Sequence, residues 1–174
     1  MKLKKGWYVL YVQTKHERSV NDALKELQID AYLPIYTSVR RWSDRTKKVR
    51  LPLFPNYVFV YLNSSTDVHR TLNIPGAFSF IKIGQKLSQI SEKEIQEIQL
   101  TVGDENLTDV QVSSRRPQVG EVHTITNGPL SGLECTIVKA NNRNKIFVVI
   151  KSIGQTITAS IPNWYLERSY ALSS

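Results

Sequence analysis

The sequence predicts an α+β protein in two parts: an amino-terminal sandwich of helices against a mixed or antiparallel sheet, then a small β-barrel. Three observations carry that prediction. Strand-like and helix-like patterns alternate from Trp7 to Val102, and the chain then turns polar and aperiodic from Gly103 to Pro117. Beyond it come short β-branched runs set off by turn residues, with no helical stripe. The boundaries this implies are residues 1–106 for the first domain, 107–116 for a linker and 117–174 for the second domain.

Taken in order, Trp7-Tyr8-Val9-Leu10-Tyr11-Val12 reads as a strand with large residues on both faces, so both faces should be covered. Thr14 and Glu17 have the spacing of a capping box, and Val20, Ala23, Leu24 and Leu27 form the stripe of the helix it opens. Ala31 to Ile35 reads as a strand with Pro34 at an edge or bulge. Tyr57 to Leu62 is the most apolar strand of the chain. A short helix from Asp67 to Leu72 and a strand from Ala77 to Ile83 follow. Ser91 and Glu94 form a second capping box, ahead of a helix with Ile95, Ile98 and Val102 inward. In the second part, the runs Val119–Val122, Glu134–Lys139, Ile146–Ile150 and Thr156–Ile161 are strands. Asn127-Gly128-Pro129, Asn141 to Asn144 and Gly154-Gln155 are the turns between them.

The 174 residues carry 23 Lys and Arg against 15 Asp and Glu, a net charge of +8, which points to a polyanionic neighbour. Cys135 is the single cysteine, so no intrachain disulfide forms, and a reducing cytosol is expected. The basic start Met1 to Lys5 resembles a signal peptide, but the apolar run after it stops at Gln13 without a cleavage site. No stretch approaches the length of a membrane span. A cytoplasmic, monomeric protein with no membrane association is the expectation.

Between Arg40 and Arg50, six of eleven residues are basic (Arg40, Arg41, Arg45, Lys47, Lys48, Arg50) and one is acidic, with a turn-like Ser43-Asp44 in the middle. This is the pattern of a projecting hairpin, with Trp42 able to stack on an unpaired base. Lys15, His16 and Arg18 lie on the first turns of the first helix, where side chains and amide groups face phosphates together. For any one of these residues a solvated charge is the alternative; for the group, DNA contact is the better reading.

Phe54, Pro55, Tyr57, Phe59 and Tyr61 are more aromatic and apolar surface than one side of a small sheet needs for its own core. The run Pro52-Leu53-Phe54-Pro55-Asn56-Tyr57-Val58-Phe59-Val60, together with Trp7-Tyr8, resembles the amino-terminal (NGN) domain of the NusG family of transcription factors. The stretch from Val119-Gly120 through Asn127-Gly128-Pro129-Leu130-Ser131-Gly132-Leu133-Glu134 resembles a KOW motif, carried in that family on an SH3-like barrel. Asn56, where housekeeping members usually have glycine, resembles specialised paralogues of the RfaH, UpxY or LoaP type. The resemblance implies that Tyr11, Phe54, Pro55, Phe59 and Phe80 grip the β′ clamp helices of RNA polymerase, with core packing the alternative for Phe59 and Phe80. It implies that His69, Arg70 and Thr71 contact the β gate loop, although Arg70 departs from the His-Thr-Thr run usual there. The basic groups would then face the non-template DNA strand. In the family the barrel recruits ribosomal protein S10, or Rho in housekeeping members, and the loop Ser152-Ile153-Gly154-Gln155-Thr156 lacks the phenylalanine expected for Rho.

Catalysis has no support in the residues. His16, His69 and His123 are scattered, Cys135 lies in an apolar strand, and no zinc spacing, phosphate loop or nucleophile elbow occurs. No cofactor or metal is expected. The function implied is elongation and antitermination on selected operons. The rivals are a housekeeping factor acting on all genes and a ribosome-associated KOW protein that binds RNA.

Overall fold

A computed structural model describes residues 3–115, 120–140 and 143–166. The chain divides into two compact units, Met1–Ile95 and Gln96–Ser174.

In the first unit β1 (Gly6–Val12) is followed by α1 (Glu17–Glu26), β2 (Ala31–Tyr32), β3 (Ile35–Arg41), β4 (Thr46–Pro52) and β5 (Tyr57–Leu62). Then come α2 (Ser65–Leu72), β6 (Ala77–Phe80), β7 (Lys82–Ile83), β8 (Lys86–Leu87), β9 (Gln89–Ile90) and α3 (Glu92–Gly103), within which the division between the units falls. The main sheet is antiparallel, in the order β2-β5-β1-β6 with β9 also on β1. β1 is central because its residues alternate between two apolar sets. Tyr8, Leu10 and Val12 join Val20 and Leu24 of α1, Val58, Val60 and Leu62 of β5, and Phe80 of β6 in one core. Trp7, Val9 and Tyr11 therefore lie on the opposite face.

α1 opens later than the Thr14–Glu17 spacing predicts. Lys15 sits at φ +67°, which turns the chain before the helix, and His16 occupies the N-cap. Glu17 is buried and points inward instead of capping. Val20 and Leu24 are buried as expected, while Leu27 stays exposed. α2 begins two residues earlier than predicted, because the Asp67 carboxylate accepts from the backbone of Asn63 and Ser64 at 3.0 and 3.1 Å. The Ser91–Glu94 capping box forms as read, with Glu94 Oε2 accepting the Ser91 N–H at 3.0 Å and Ser91 Oγ accepting the Glu94 N–H at 3.2 Å. Ile95 and Ile98 are buried.

The second unit holds β10 (Thr108–Ser113), β11 (Glu121–Thr124), β12 (Glu134–Ala140), β13 (Arg143–Ile150) and β14 (Gln155–Ile161). They form one antiparallel sheet in the order β10-β14-β13-β12-β11. Its core includes Ile125, Leu130, Leu133, Ile146, Val148, Ile150 and Ile157. β10 corrects the linker expected over 107–116. Only Val110 and Val112 alternate within a polar run, too short a pattern to stand out, yet the segment pairs with β14 at the sheet edge. Upstream of β10, the buried Asp104 carboxylate accepts the Tyr165 hydroxyl proton at 2.6 Å, and the Asn106 side-chain amide donates to that hydroxyl oxygen at 3.0 Å. Residues from the predicted first domain thus belong to the second unit's core.

Burial, then the Asp104 hydrogen bond, pushes the Tyr165 hydroxyl from 10.0 up to about 12. The folded form holds this proton more tightly, so its contribution is complete below pH 10 and falls as pH rises toward 12. Cys135 is buried, and burial followed by the charges of Glu134 and Glu97 raises its thiol to about 12. Thiol reagents at pH 8 are expected to leave it unmodified in the native chain and to label it once on denaturation. Rapid native labelling, read by mass spectrometry, would contradict the burial.

Candidate docking face and nucleic-acid interface

The face of the sheet opposite the α1 core is aromatic along its whole length. Trp7 packs edge-on to Tyr61 with ring centroids 5.5 Å apart. Phe59 is fully buried, stacked on Tyr32 at 6.2 Å and edge-on to Phe54 at 5.8 Å. The Tyr32 hydroxyl is buried without a hydrogen-bond partner, and burial raises its pKa. Beyond Phe59 the cover ends. Tyr11 lies edge-on to both Tyr57, at 6.1 Å, and Phe78, at 5.9 Å. Tyr11 is 38% exposed and Phe78 74% exposed, with Pro55 exposed on the loop before Tyr57.

Phe78 reaches this position through a bulge. β1 and β6 pair Tyr11 with Ser79 but Val12 with Ala77, so Phe78 is the extra residue. Strict alternation would put Phe78 and Phe80 on one face. The bulge instead sends Phe80 into the α1 core and leaves Phe78 beside Tyr11. Of the five residues expected to form the clamp pocket, Tyr11 and Pro55 are accessible, and Phe54, Phe59 and Phe80 are buried. Those three are core in this structure: Phe54 and Phe59 pack on each other and Phe80 lies in the core shared with α1. Tyr57, already in the aromatic set read from the sequence, and Phe78 lie beside Tyr11. Phe78 is the exposed aromatic that sequence reasoning missed, and no pattern short of the β1–β6 register would have found it.

The loop carrying Pro55 is held from α1. Asn56 sits at φ +68°, its N–H donates to buried Glu17 Oε1 at 2.9 Å, and its carbonyl accepts the Val12 N–H at 2.8 Å. Its side-chain amide donates to the Val12 carbonyl at 3.2 Å and to Thr14 Oγ1 at 3.0 Å. The left-handed backbone favours glycine or asparagine, which gives a local conformational reason for the residue type. Asn56→Gly should therefore cost within about 1 kcal/mol, the side-chain bonds alone. Asn56→Ala, which adds backbone strain, should cost about 2–3 kcal/mol. Urea unfolding of the two variants checks this order.

The three residues expected at the gate loop are not equivalent. His69 is exposed. Arg70 Nη2 donates to the Leu27 carbonyl at the end of α1 at 2.7 Å, and Nη1 lies 3.6 Å from Asp67. It closes one helix against another. Thr71 is buried with its hydroxyl unpartnered, so it presents no surface.

β3 and β4 form a separate two-stranded ribbon, as the basic pattern predicts. A turn closed by the Trp42 N–H on the Arg45 carbonyl at 2.8 Å joins them. Arg40, Arg41, Arg45, Lys47, Lys48 and Arg50 are all exposed. Arg18 Nη2 donates to the Arg50 carbonyl at 3.0 Å, tying α1 to the ribbon's base. His16 is half-buried with its ring against Gly76, where a Cβ would come within 2.8 Å of it, and Lys15 is exposed. Residues 1–95 hold 16 Lys and Arg against 8 Asp and Glu, and residues 96–174 hold 7 of each. The whole net charge lies in the first unit.

Among the described residues no group of His, Cys, Asp and Glu could hold a metal ion, and no helix is long and apolar enough to cross a membrane. A protein named transcription termination/antitermination protein NusG, from Rickettsia prowazekii (strain Madrid E), is 29% identical over 161 residues, covering 84% of this chain and 82% of that protein. The protein of the same name from Lactococcus lactis subsp. lactis (strain IL1403) is 25% identical over 177 residues, covering 93% and 92%. A solved structure of Thermotoga maritima NusG superposes with a TM-score of 0.51 at 20% identity, covering 90% of this chain and 93% of that one, and supports the fold. The NusG family model, described as transcription termination factor nusG, matches residues 5–99. That match spans more than half of the sequence and all the strands of the aromatic sheet, and the chain belongs to the NusG family, whose members are transcription factors and not enzymes.

Proposed function

We propose that this chain binds RNA polymerase across its cleft, suppresses pausing and antiterminates selected operons. The observation that carries the reading is the exposed edge of the aromatic face, where Tyr11, Tyr57 and Phe78 run together beside Pro55. Rigid aromatics of this kind anchor interfaces at low entropic cost. The β′ clamp helices are the proposed partner, and the ribbon lies against DNA. His69 and Arg70 are the exposed candidates for the β gate loop, with Arg70 already tied to the Leu27 carbonyl. Preferential affinity for the closed cleft would suppress pausing. The second unit, which we propose closes as a KOW barrel, brings a second partner to the same complex. Ribosomal protein S10 suits it better than Rho, since the Lys151–Gly154 turn before β14 carries no aromatic residue.

The placement of charge argues against a ribosomal KOW protein. Such a protein would bind RNA through the barrel, but the second unit has no net charge. The specialist assignment rests on the altered turn, since the backbone gives a local reason for Asn56. The expected result with purified components is co-elution with core RNA polymerase and not with ribosomal subunits. Chromatin immunoprecipitation should place the protein on a few operons; occupancy of every transcribed gene would make it the housekeeping factor.

A further inference from the structure

The ribbon is charged on both of its faces. Residues opposite each other in an antiparallel pair share a face, so Arg41, Lys48 and Arg50 lie on one side, and Arg40 and Lys47, directly paired, lie on the other. Like charges placed opposite each other oppose pairing. No ribbon cation has an acidic partner among the described residues, and Asp44 at the turn is the ribbon's single acid. Near the base, Tyr36, Ser38, Val49 and Leu51 half-bury the Arg40 side, so both faces are open only in the outer half. That half runs from the Val39–Lys48 pair through Arg41–Thr46 to the turn.

We propose that the outer half of the β3–β4 ribbon inserts into the major groove of B-form DNA, with the two cationic faces against the two phosphate walls. The inference rests on the DNA contact proposed above and specifies its form. A single strand would meet one side of the ribbon and would need successive aromatic platforms along it. Here the ribbon's outer half has one aromatic, Trp42, 61% exposed at the tip, while its faces carry cations, threonine and Val39. A groove presents phosphates on both sides at once, which is what two cationic faces match. The major groove, about 12 Å wide and about 8.5 Å deep, admits a two-stranded ribbon. Three residue pairs at roughly 3.3 Å per residue reach about 10 Å, close to that depth. The A-form RNA major groove is too narrow for it.

The test uses the full chain and fluorescence anisotropy with three labelled probes: a mixed-sequence DNA duplex, one of its strands alone, and an RNA duplex. The expected result is salt-dependent binding to the DNA duplex, about tenfold tighter than to either other probe. A major-groove dye should compete and a minor-groove dye should not. Arg40→Gln and Arg41→Gln, on opposite faces, should each weaken duplex binding a few-fold and each lower the salt slope by about 1. Circular dichroism confirms that these exposed variants fold. Tighter binding to the single strand, with quenching of Trp42, would overturn the groove and leave DNA contact standing. The same holds if only one face responds to substitution or if a minor-groove dye competes. Preference for the RNA duplex would overturn the inference in favour of RNA, and no salt-dependent binding to any probe would overturn DNA contact as well.

Discussion

Phe59→Ala is expected to destabilise the first unit by about 3–5 kcal/mol, the range for removing a buried aromatic ring. Phe59 is fully buried, with Tyr32 stacked on one side and Phe54 against its edge, both on the face opposite the α1 core. Removing the ring leaves a cavity between two residues held by separate strands and loops, which collapse poorly onto it. A domain of this size has about 5–15 kcal/mol to lose, so the variant sits near the edge of folding at 37 °C. Thermal and urea unfolding measure the change directly. If Phe59→Ala unfolded like the parent chain and lost only polymerase binding, the residue would be a surface contact and the burial described here wrong.

The second large effect is on binding. Tyr11→Ala and Phe78→Ala should each weaken association with RNA polymerase by about tenfold or more, the size expected of an aromatic anchor. Phe78 is 74% exposed, so Phe78→Ala should change stability by less than about 1 kcal/mol. Tyr11, 38% exposed and edge-on to two rings, should cost about 1–2 kcal/mol when truncated. The two rings touch, so the double variant should fall short of the product of the single effects. Titration of labelled polymerase gives the affinities and thermal melts give the control. Unchanged affinity in Phe78→Ala would remove it from the docking face and leave its exposure without a functional account.

These two predictions divide an aromatic set that the sequence presents as one. Phe54, Phe59 and Phe80 have the same residue type as Phe78, and composition cannot sort them. Phe78 and Phe80 are sorted by a single extra residue in β6 opposite Tyr11 and Val12, since a one-residue shift exchanges the faces of a strand. Phe54 and Phe59 are covered by each other and Tyr32. The gate-loop candidates divide for a similar reason. Arg70 and Thr71 are adjacent in sequence, yet α2 aims one at the end of α1 and the other into the interior.

Periodicity, capping pairs and charge clustering sufficed for the helices, the apolar strands and the basic ribbon, because each is a short-range pattern written in consecutive residues. The second capping box, Ser91 with Glu94, forms as its spacing says. The first does not, because Asn56, 39 residues further along, draws Glu17 inward. β10 was illegible because its pairing with β14 supplies the order that its own composition lacks. The sequence by itself determined that this is a two-part α+β chain with an aromatic sheet and one concentrated basic hairpin. Only the tertiary structure decided which aromatics reach the surface, since exposure depends on strand register and on partners distant in sequence.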